Sequence, residues 1–270
     1  MAASPVDIVV CGAAGRMGRL IVALAAESPD FRVVGAIEAA GHAAAGQDVG
    51  TLAGVQALGV TVGTDPAAVV RPERVLLDFT IPEATLAHAR AAAAAGAGLV
   101  IGTTGLDASQ DRELRRIAAS TRAVISANYS VGVAVLTALA ARAAELLGDG
   151  FDAEIVEVHH HHKRDAPSGT ALALGRALAA ARGREFDAAK VLAREGIVGP
   201  RRAGEIGIVA LRAGDVVGDH TVLFGGLGER LELVHRAQSR ESLVRGALRA
   251  ASWIATRPPG IYTMRDVLGL

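Results

Sequence analysis

A buried strand that runs directly into spaced glycines and then into a helix leaves a chain few ways to fold, and residues 6–29 have that order. VDIVVCG is almost continuously apolar, as a parallel strand covered on both faces must be. GAAGRMG follows at once, and then LIVALAAES with helical periodicity. The spacing Gly12-x-x-Gly15-x-x-Gly18 is a variant of the dinucleotide fingerprint. Glycines at such a turn let the backbone approach a pyrophosphate and let the helix pack closely on the strand. FRVVGAIE, residues 31–38, reads as a second strand ending in a carboxylate, where an acid holds ribose hydroxyls. Further strand-like runs at 75–79, 99–102 and 123–126 alternate with helical stretches such as EATLAHARAAAAAG and SQDRELRRIAAST. Repeated βα units predict an α/β domain with a Rossmann-like parallel sheet and helices on both faces.

The pattern changes after Tyr129. A helix over 131–147, a histidine-bearing strand and another helix precede strands near 204–213, 219–225 and 229–236. The short turns AGD and GGLGE between these strands predict an antiparallel sheet. A last helix spans 240–255, and its return to the first domain is left open.

Chemistry concentrates in EVHHHHKRDAPSGT, residues 157–170. Ile155, Val156 and Val158 supply strand bulk, and period-2 alternation sends Glu157, His159 and His161 to one face. Pro167 and Ser168 stand where a helix begins, so Ser168, Gly169 and Thr170 are expected to offer backbone N–H groups to an anion. Lys163 adds a full charge. Together these residues read as a site for a small anionic substrate beside an acid/base histidine. The run is internal and flanked by patterned sequence, which argues against a tag. A zinc site is the rival reading, but it needs a third ligand from elsewhere, and the single Cys11 lies in a different motif. A solvated run without function is the third reading; the expectation is no metal.

The glycine turn also bears on the cofactor. Glu38 repels a 2′-phosphate, Ala39 and Ala40 offer no cation, and Arg16 is the one positive charge in the turn. NADH is therefore expected over NADPH, with NADPH use left possible. The loops Gly102-Thr103-Thr104-Gly105 and Ser126-Ala127-Asn128-Tyr129 follow strands of the same sheet, where small and hydroxylated residues suit a nicotinamide ribose and carboxamide.

Composition mainly excludes. The formal net charge is zero with no block of like charges, which argues against nucleic acid or an anionic membrane as partner. One cysteine rules out an intramolecular disulfide framework and fits a reducing compartment. MAASPVDIVV carries neither a basic leader nor a signal-type apolar core, and no apolar run reaches about 18 residues without polar interruption, so a cytoplasmic location is expected.

With CGAAGRMG, DFTIPEAT, VIGTTG, ANYSVGV, EVHHHHKRDAPSGTA, LRAGDVVGDH and the final MRDVL in order, the chain resembles the 4-hydroxy-tetrahydrodipicolinate (dihydrodipicolinate) reductase family of bacterial lysine and diaminopimelate synthesis. The resemblance covers nearly the whole length. It implies a dinucleotide-binding domain over 1–129, completed by about 241–270. The remainder, 130–240, would be an α+β substrate-binding and oligomerisation domain with an open mixed sheet that builds a homotetramer. Gly12, Ala13, Ala14, Gly15, Arg16 and Met17 would cradle the pyrophosphate and Glu38 hold the adenosine ribose. Gly102, Thr103 and Thr104 with Ser126, Ala127, Asn128 and Tyr129 would flank the nicotinamide. His159 matches the family's proton donor and Lys163 its second catalytic residue, while His160 and the Gly169 and Thr170 backbone match contacts to a substrate carboxylate. The reaction implied is hydride transfer to a cyclic imine dicarboxylate with overall loss of water. Two departures stand out: Ala39 replaces a basic residue of members that use NADPH well, and His161 stands where others have arginine. A redox-sensing NADH-binding protein, a His-ligated metallohydrolase and an amino-acid or sugar dehydrogenase are the competing readings.

Overall fold

In the computed structural model, which describes residues 4–270, the opening strand β1 (Val6–Cys11) is fully buried from Ile8 onward, as its unbroken apolar run requires. Met1, Ala2 and Ala3, part of the N-terminal reading above, lie outside the described residues. Around β1 the chain builds unit 1, which runs to Ser130 and includes Glu241–Gly269. After β1 come α1 (Arg16–Ala26), β2 (Phe31–Ile37), α2 (Val49–Ala53), β3 (Val62–Gly63), α3 (Pro66–Val69), β4 (Val75–Asp78), α4 (Pro82–Ala95), β5 (Gly98–Ile101), α5 (Ala108–Ala118) and β6 (Arg122–Ile125). Unit 2 is Val131–Arg240, with Leu270 assigned to it. It contains α6 (Val131–Leu147), β7 (Asp152–His159), α7 (Gly169–Ala181), α8 (Phe186–Ala189), β8 (Lys190–Val191), β9 (Ile206–Arg212), β10 (Gly218–Gly225) and β11 (Arg230–Ala237). The chain then completes unit 1 with α9 (Glu241–Ile254), β12 (Gly260–Tyr262) and α10 (Met264–Leu268).

The unit 1 sheet has the order β3-β2-β1-β4-β5-β6-β12, every pair parallel. Strand order reverses between β1 and β4, the topological switch point at which such sheets bind ligands beyond the strand C-termini. Gly12 leaves β1 with φ +70°, a left-handed conformation that a side chain resists. Gly18 allows α1 to close on β1, because a Cβ there would collide with the Gly12 carbonyl and the Ala13 backbone. α9 presents Val244, Ala247, Leu248, Ala251 and Ile254 at helical spacing and packs them against β4, β5, β6 and α1. β12 adds a seventh strand beside β6; at three residues it was too short for a periodic signal.

In unit 2, β7 buries alternate residues, Ala153, Ile155, Glu157 and His159. Its sheet runs β11-β10-β7-β9-β8. The antiparallel expectation holds for β10 with β11 and β7, but β9 lies parallel to β7 and β8. The AGD turn therefore closes no hairpin, because β7 separates β9 from β10. Leu136 from α6 and Leu174 and Leu178 from α7 form a core with Ile155, Ile208, Val222 and Phe224. Residues of opposite parity in the sheet leave Val209, Leu211 and Val234 exposed. α6 with the turn after it is apolar and long enough to cross a bilayer by length and composition, yet Arg142 and Glu145 interrupt it and it packs on α7 and β11.

Candidate active site

At the switch point of unit 1 lies a cavity of about 580 Å³. Gly12, Ala14 and Gly15 form one wall, Glu38 to Ala40 and His42 another, and Phe79 to Ile81 with His88 a third. The turn is held by backbone bonds to the end of β2: the N–H groups of Gly12 and Ala13 donate to the Ile37 carbonyl at 2.9 and 3.2 Å. Ala14 N–H donates to Glu38 Oε1 at 2.8 Å, which fixes the acid against the turn. Arg16 is exposed at the start of α1 and Met17 half-buried beside it, where first-turn N–H groups have no intrahelical partner. Such a terminus favours an anion, and a Cβ at Gly12 would come within 2.7 Å of Thr80 Cγ2. The residues present thus fit a dinucleotide pyrophosphate with a ribose at Glu38.

The other two predicted loops lie at the ends of β5 and β6 rather than among this cavity's lining residues. Gly102 passes under the Phe79 ring, which a Cβ would strike, while Thr104 and Ala127 are exposed. Ser126 Oγ donates to the Asn128 carbonyl at 2.7 Å, and Asn128 Oδ1 accepts from Ser130 N–H at 2.8 Å. Tyr129 ends this loop. It is buried, donating its hydroxyl to the Ile101 and Val124 carbonyls at 2.9 and 2.8 Å, so only its backbone can face a ligand.

Thr103 belongs to a buried network that the sequence reading did not identify. Its centre is Asp78, fully buried at the end of β4, which accepts from Thr80 Oγ1 at 2.6 Å and Thr85 Oγ1 at 3.1 Å and pairs with His88 Nδ1 at 2.6 Å. Thr103 Oγ1 accepts from Thr85 Oγ1 at 2.7 Å. Burial pushes the Asp78 carboxyl upward, but His88 and Thr80 outweigh it and hold the group below its ordinary range. Cys11 lies close by, its ligand atom within 4.8 Å of those of Asp78 and His88. Burial and then the Asp78 and Glu38 charges push this thiol well up, so it stays protonated.

Unit 2 has a second buried carboxylate, Glu157, paired with His159 Nδ1. Arg212 donates to both Glu157 oxygens, at 3.0 and 3.1 Å, and Ser168 N–H donates to Oε1 at 3.0 Å. The expectation that Ser168 N–H faces a ligand is therefore corrected, since Glu157 takes it. Ser168 also caps α7 by accepting from Ala171 N–H at 3.1 Å, and its hydroxyl lies 3.2 Å from His220 Nε2. Burial presses Glu157 upward, but Arg212, His159 and Ser168 hold the carboxyl below its usual range. Burial, then the His159 charge, pushes His220 down to about 4, leaving it neutral.

Glu157 occupies Nδ1, so the proton that His159 can exchange is the one on Nε2. Gly218 stands beside that atom, where a Cβ would sit 3.0 Å from Nε2. Lys163 Nζ pairs with Asp165 at 2.9 Å, and Gly169 is exposed at the start of α7 with Thr170 next to it. His160 Nδ1 is buried without a partner among the described residues, and burial followed by the charges of Arg240, His159, His162 and Lys163 pushes its pKa down. His161 is the alternation's failure: β7 ends at His159, and the exposed His161 pairs with the Gly214 carbonyl at 2.8 Å. Glu157 could have been found from the i, i+2 spacing of the EVH triplet; Arg212, 55 residues away in sequence, carried no such signal.

A reversed parallel sheet with a glycine turn and ribose acid, joined in one chain to a unit with a buried acid–histidine pair, defines a nicotinamide-dinucleotide oxidoreductase. Family descriptions of the dihydrodipicolinate reductase N-terminus and C-terminus match residues 6–129 and 132–268. The chain belongs to the dihydrodipicolinate reductase family. A 4-hydroxy-tetrahydrodipicolinate reductase of Anaeromyxobacter dehalogenans is 53% identical over 97% of this chain and 97% of its own length. That of Halorhodospira halophila is 49% identical over 97% and 98%. The fold is shared with a dipicolinate-bound dihydrodipicolinate reductase from Paenisporosarcina sp. TG-14, with a TM-score of 0.73 at 21% identity, covering 97% of this chain and 98% of that one.

Proposed function

We propose that this chain reduces 4-hydroxy-tetrahydrodipicolinate to tetrahydrodipicolinate in lysine and diaminopimelate synthesis, with NADH preferred over NADPH. One reduced nucleotide and one proton are consumed, and oxidised nucleotide and one water are formed. The observation that carries the reading is the buried Glu157–His159 pair, which engages Nδ1 and leaves Nε2 as the ring nitrogen that can exchange a proton, with Ser168 at the start of α7 donating to the same acid.

The bound dinucleotide supplies the hydride. His159 delivers the proton from Nε2 to the ring atom that gains electron density, with Glu157 orienting the ring and offsetting the imidazolium charge. Arg212 keeps Glu157 ionised. Lys163 offsets charge on the substrate and shares in proton delivery, and His160 with the Gly169 and Thr170 backbone holds the substrate carboxylates. In unit 1 the Gly12–Met17 turn carries the pyrophosphate, Glu38 the ribose, and the loops at 102–104 and 126–129 the nicotinamide. The preference for NADH rests on Glu38 and on the lack of a cation at Ala39 and Ala40. The exposed Val209, Leu211 and Val234 support assembly through the open face of the sheet into a homotetramer, and a cytoplasmic location completes the reading.

The test follows reduced-nucleotide absorbance after addition of the freshly made condensation product of pyruvate and aspartate semialdehyde. Oxidation is expected, faster with NADH. NADH binding without turnover would instead favour a sensor or another dehydrogenase.

A further inference from the structure

The wall of the unit 1 cavity that follows β2 has the sequence AAGHAAAG, residues 39–46, and His42 is its one side chain with a polar atom. Its place is set by backbone. His42 N–H donates to the Ala39 carbonyl at 3.0 Å, turning the chain back on itself, and Ala45 N–H donates to the His42 carbonyl at 3.0 Å. The imidazole is set as well, because Ala44 N–H donates to Nδ1 at 3.1 Å. A nitrogen that accepts a hydrogen bond carries no hydrogen, so the ring hydrogen belongs on Nε2. His42 therefore lines the cavity as a neutral ring with one N–H to give.

Glu38 is its complement. Oε1 accepts from Ala14 N–H at 2.8 Å and Oε2 from Ala39 N–H at 3.3 Å, which holds the carboxylate between the glycine turn and the His42 wall. A ribose hydroxyl can donate to this acid. A phosphate in its place has little to donate and needs a donor from the protein. Ala39, Ala40, Ala43 and Ala44 have none in their side chains, and Arg16 is not among the residues that line the cavity.

We infer that His42 determines how well this cavity accepts a dinucleotide bearing a 2′-phosphate; the inference rests on the dinucleotide reading of the cavity given above. A neutral donor suits either cofactor, but its bond to a phosphate is charge-assisted and roughly twice as strong as one to a hydroxyl. His42 thus supports NADPH more than NADH and offsets part of the repulsion from Glu38.

The test compares wild type, His42→Ala and His42→Gln, which keeps an N–H donor. Dissociation constants for NADH and NADPH are measured by calorimetry without substrate, and kcat/KM with it. His42→Ala is expected to weaken NADPH by about 10- to 100-fold in both readouts, to change NADH by no more than about threefold, and to be partly rescued by Gln. Equal losses for both nucleotides, or an unchanged NADPH constant, would overturn the role of His42. If wild type bound neither nucleotide, the cavity reading would fail and take this inference with it; if it bound both without turnover, only the proposed reaction would fail.

Discussion

Glu157→Gln separates orientation of His159 from mere structural support, and its magnitude follows from the donors around the acid. Oε2 faces His159 Nδ1 and one Arg212 nitrogen; Oε1 faces Ser168 N–H and the other Arg212 nitrogen. Turned towards Ser168, the glutamine NH2 meets two donors and two of the four bonds are lost. Turned towards His159, it crowds one Arg212 nitrogen and is accepted by Nδ1 only if the ring hydrogen moves to Nε2, so at least one bond is lost and the tautomer changes. Bonds to a charged group contribute about 1.5–3 kcal/mol each. The gross loss is then about 1.5–6 kcal/mol, reduced because Arg212 is partly exposed and also donates to the Asp165 carbonyl at 2.6 Å. A net loss in the middle of that range, about 2–4 kcal/mol, corresponds to a Tm lower by roughly 10 °C. In catalysis, a proton donor worth about 10²–10⁴-fold loses much of that effect when its ring is misoriented. We expect kcat to fall at least about 30-fold, a part of that effect, with the NADH dissociation constant unchanged because the glycine turn lies in unit 1. Steady-state kinetics, calorimetry with NADH and thermal unfolding measure the three quantities. A variant with the lowered Tm but wild-type kcat would refute the orienting role and leave Glu157 as a support of the fold.

Other outcomes follow from the same geometry. His159→Gln is expected to lower kcat by about 10²-fold or more with NADH affinity retained, and unchanged turnover would remove the residue from its role. Gly218→Ala places a methyl 3.0 Å from His159 Nε2, so kcat should drop severalfold with little change in stability; a wild-type pH-rate profile and kcat would show that the ring yields instead. His220, pushed down to about 4, binds its proton less readily in the folded protein than in the unfolded chain, whose reference value is about 6.5. Its contribution is therefore complete above about pH 6.5 and is lost as pH falls towards 4, by roughly 3 kcal/mol. Urea unfolding of wild type and His220→Asn across that window should show the variant with the shallower acid loss; parallel curves would contradict the assignment.

What the sequence disclosed follows the range of each signal. The glycine turn, the strand before it and Glu38 are local or nearly so, and the apolar β1 could not be mistaken for anything exposed. The pairing of β9 with β7 was hidden because short turns suggest hairpins, whereas parallel neighbours are fixed by burial of Ile206 and Ile208 against α7, a tertiary matter. His161 was misplaced because alternation has no internal stop signal: β7 ends where the Ala213 N–H takes the His159 carbonyl at 2.9 Å, a partner from a distant loop.

The two units share a device that neither motif shows by itself. Each buries a carboxylate on a strand, Asp78 in β4 and Glu157 in β7, and each carboxylate engages a histidine through Nδ1. Further donors sit on each acid: Thr80 N–H with the Thr80, Thr85 and Thr103 hydroxyls on Asp78, and Ser168 N–H with two Arg212 nitrogens on Glu157. An ion so buried is costly unless its lone pairs are filled, and here they are. The result in each unit is an imidazole whose orientation is fixed through Nδ1. In unit 1 that histidine lines the cavity at the switch point, and in unit 2 it is the proposed proton donor. The difference lies in the third partners. Hydroxyls share Asp78 without adding charge, whereas the Arg212 guanidinium secures Glu157 in its ionised form, which a histidine that must carry and release a proton requires.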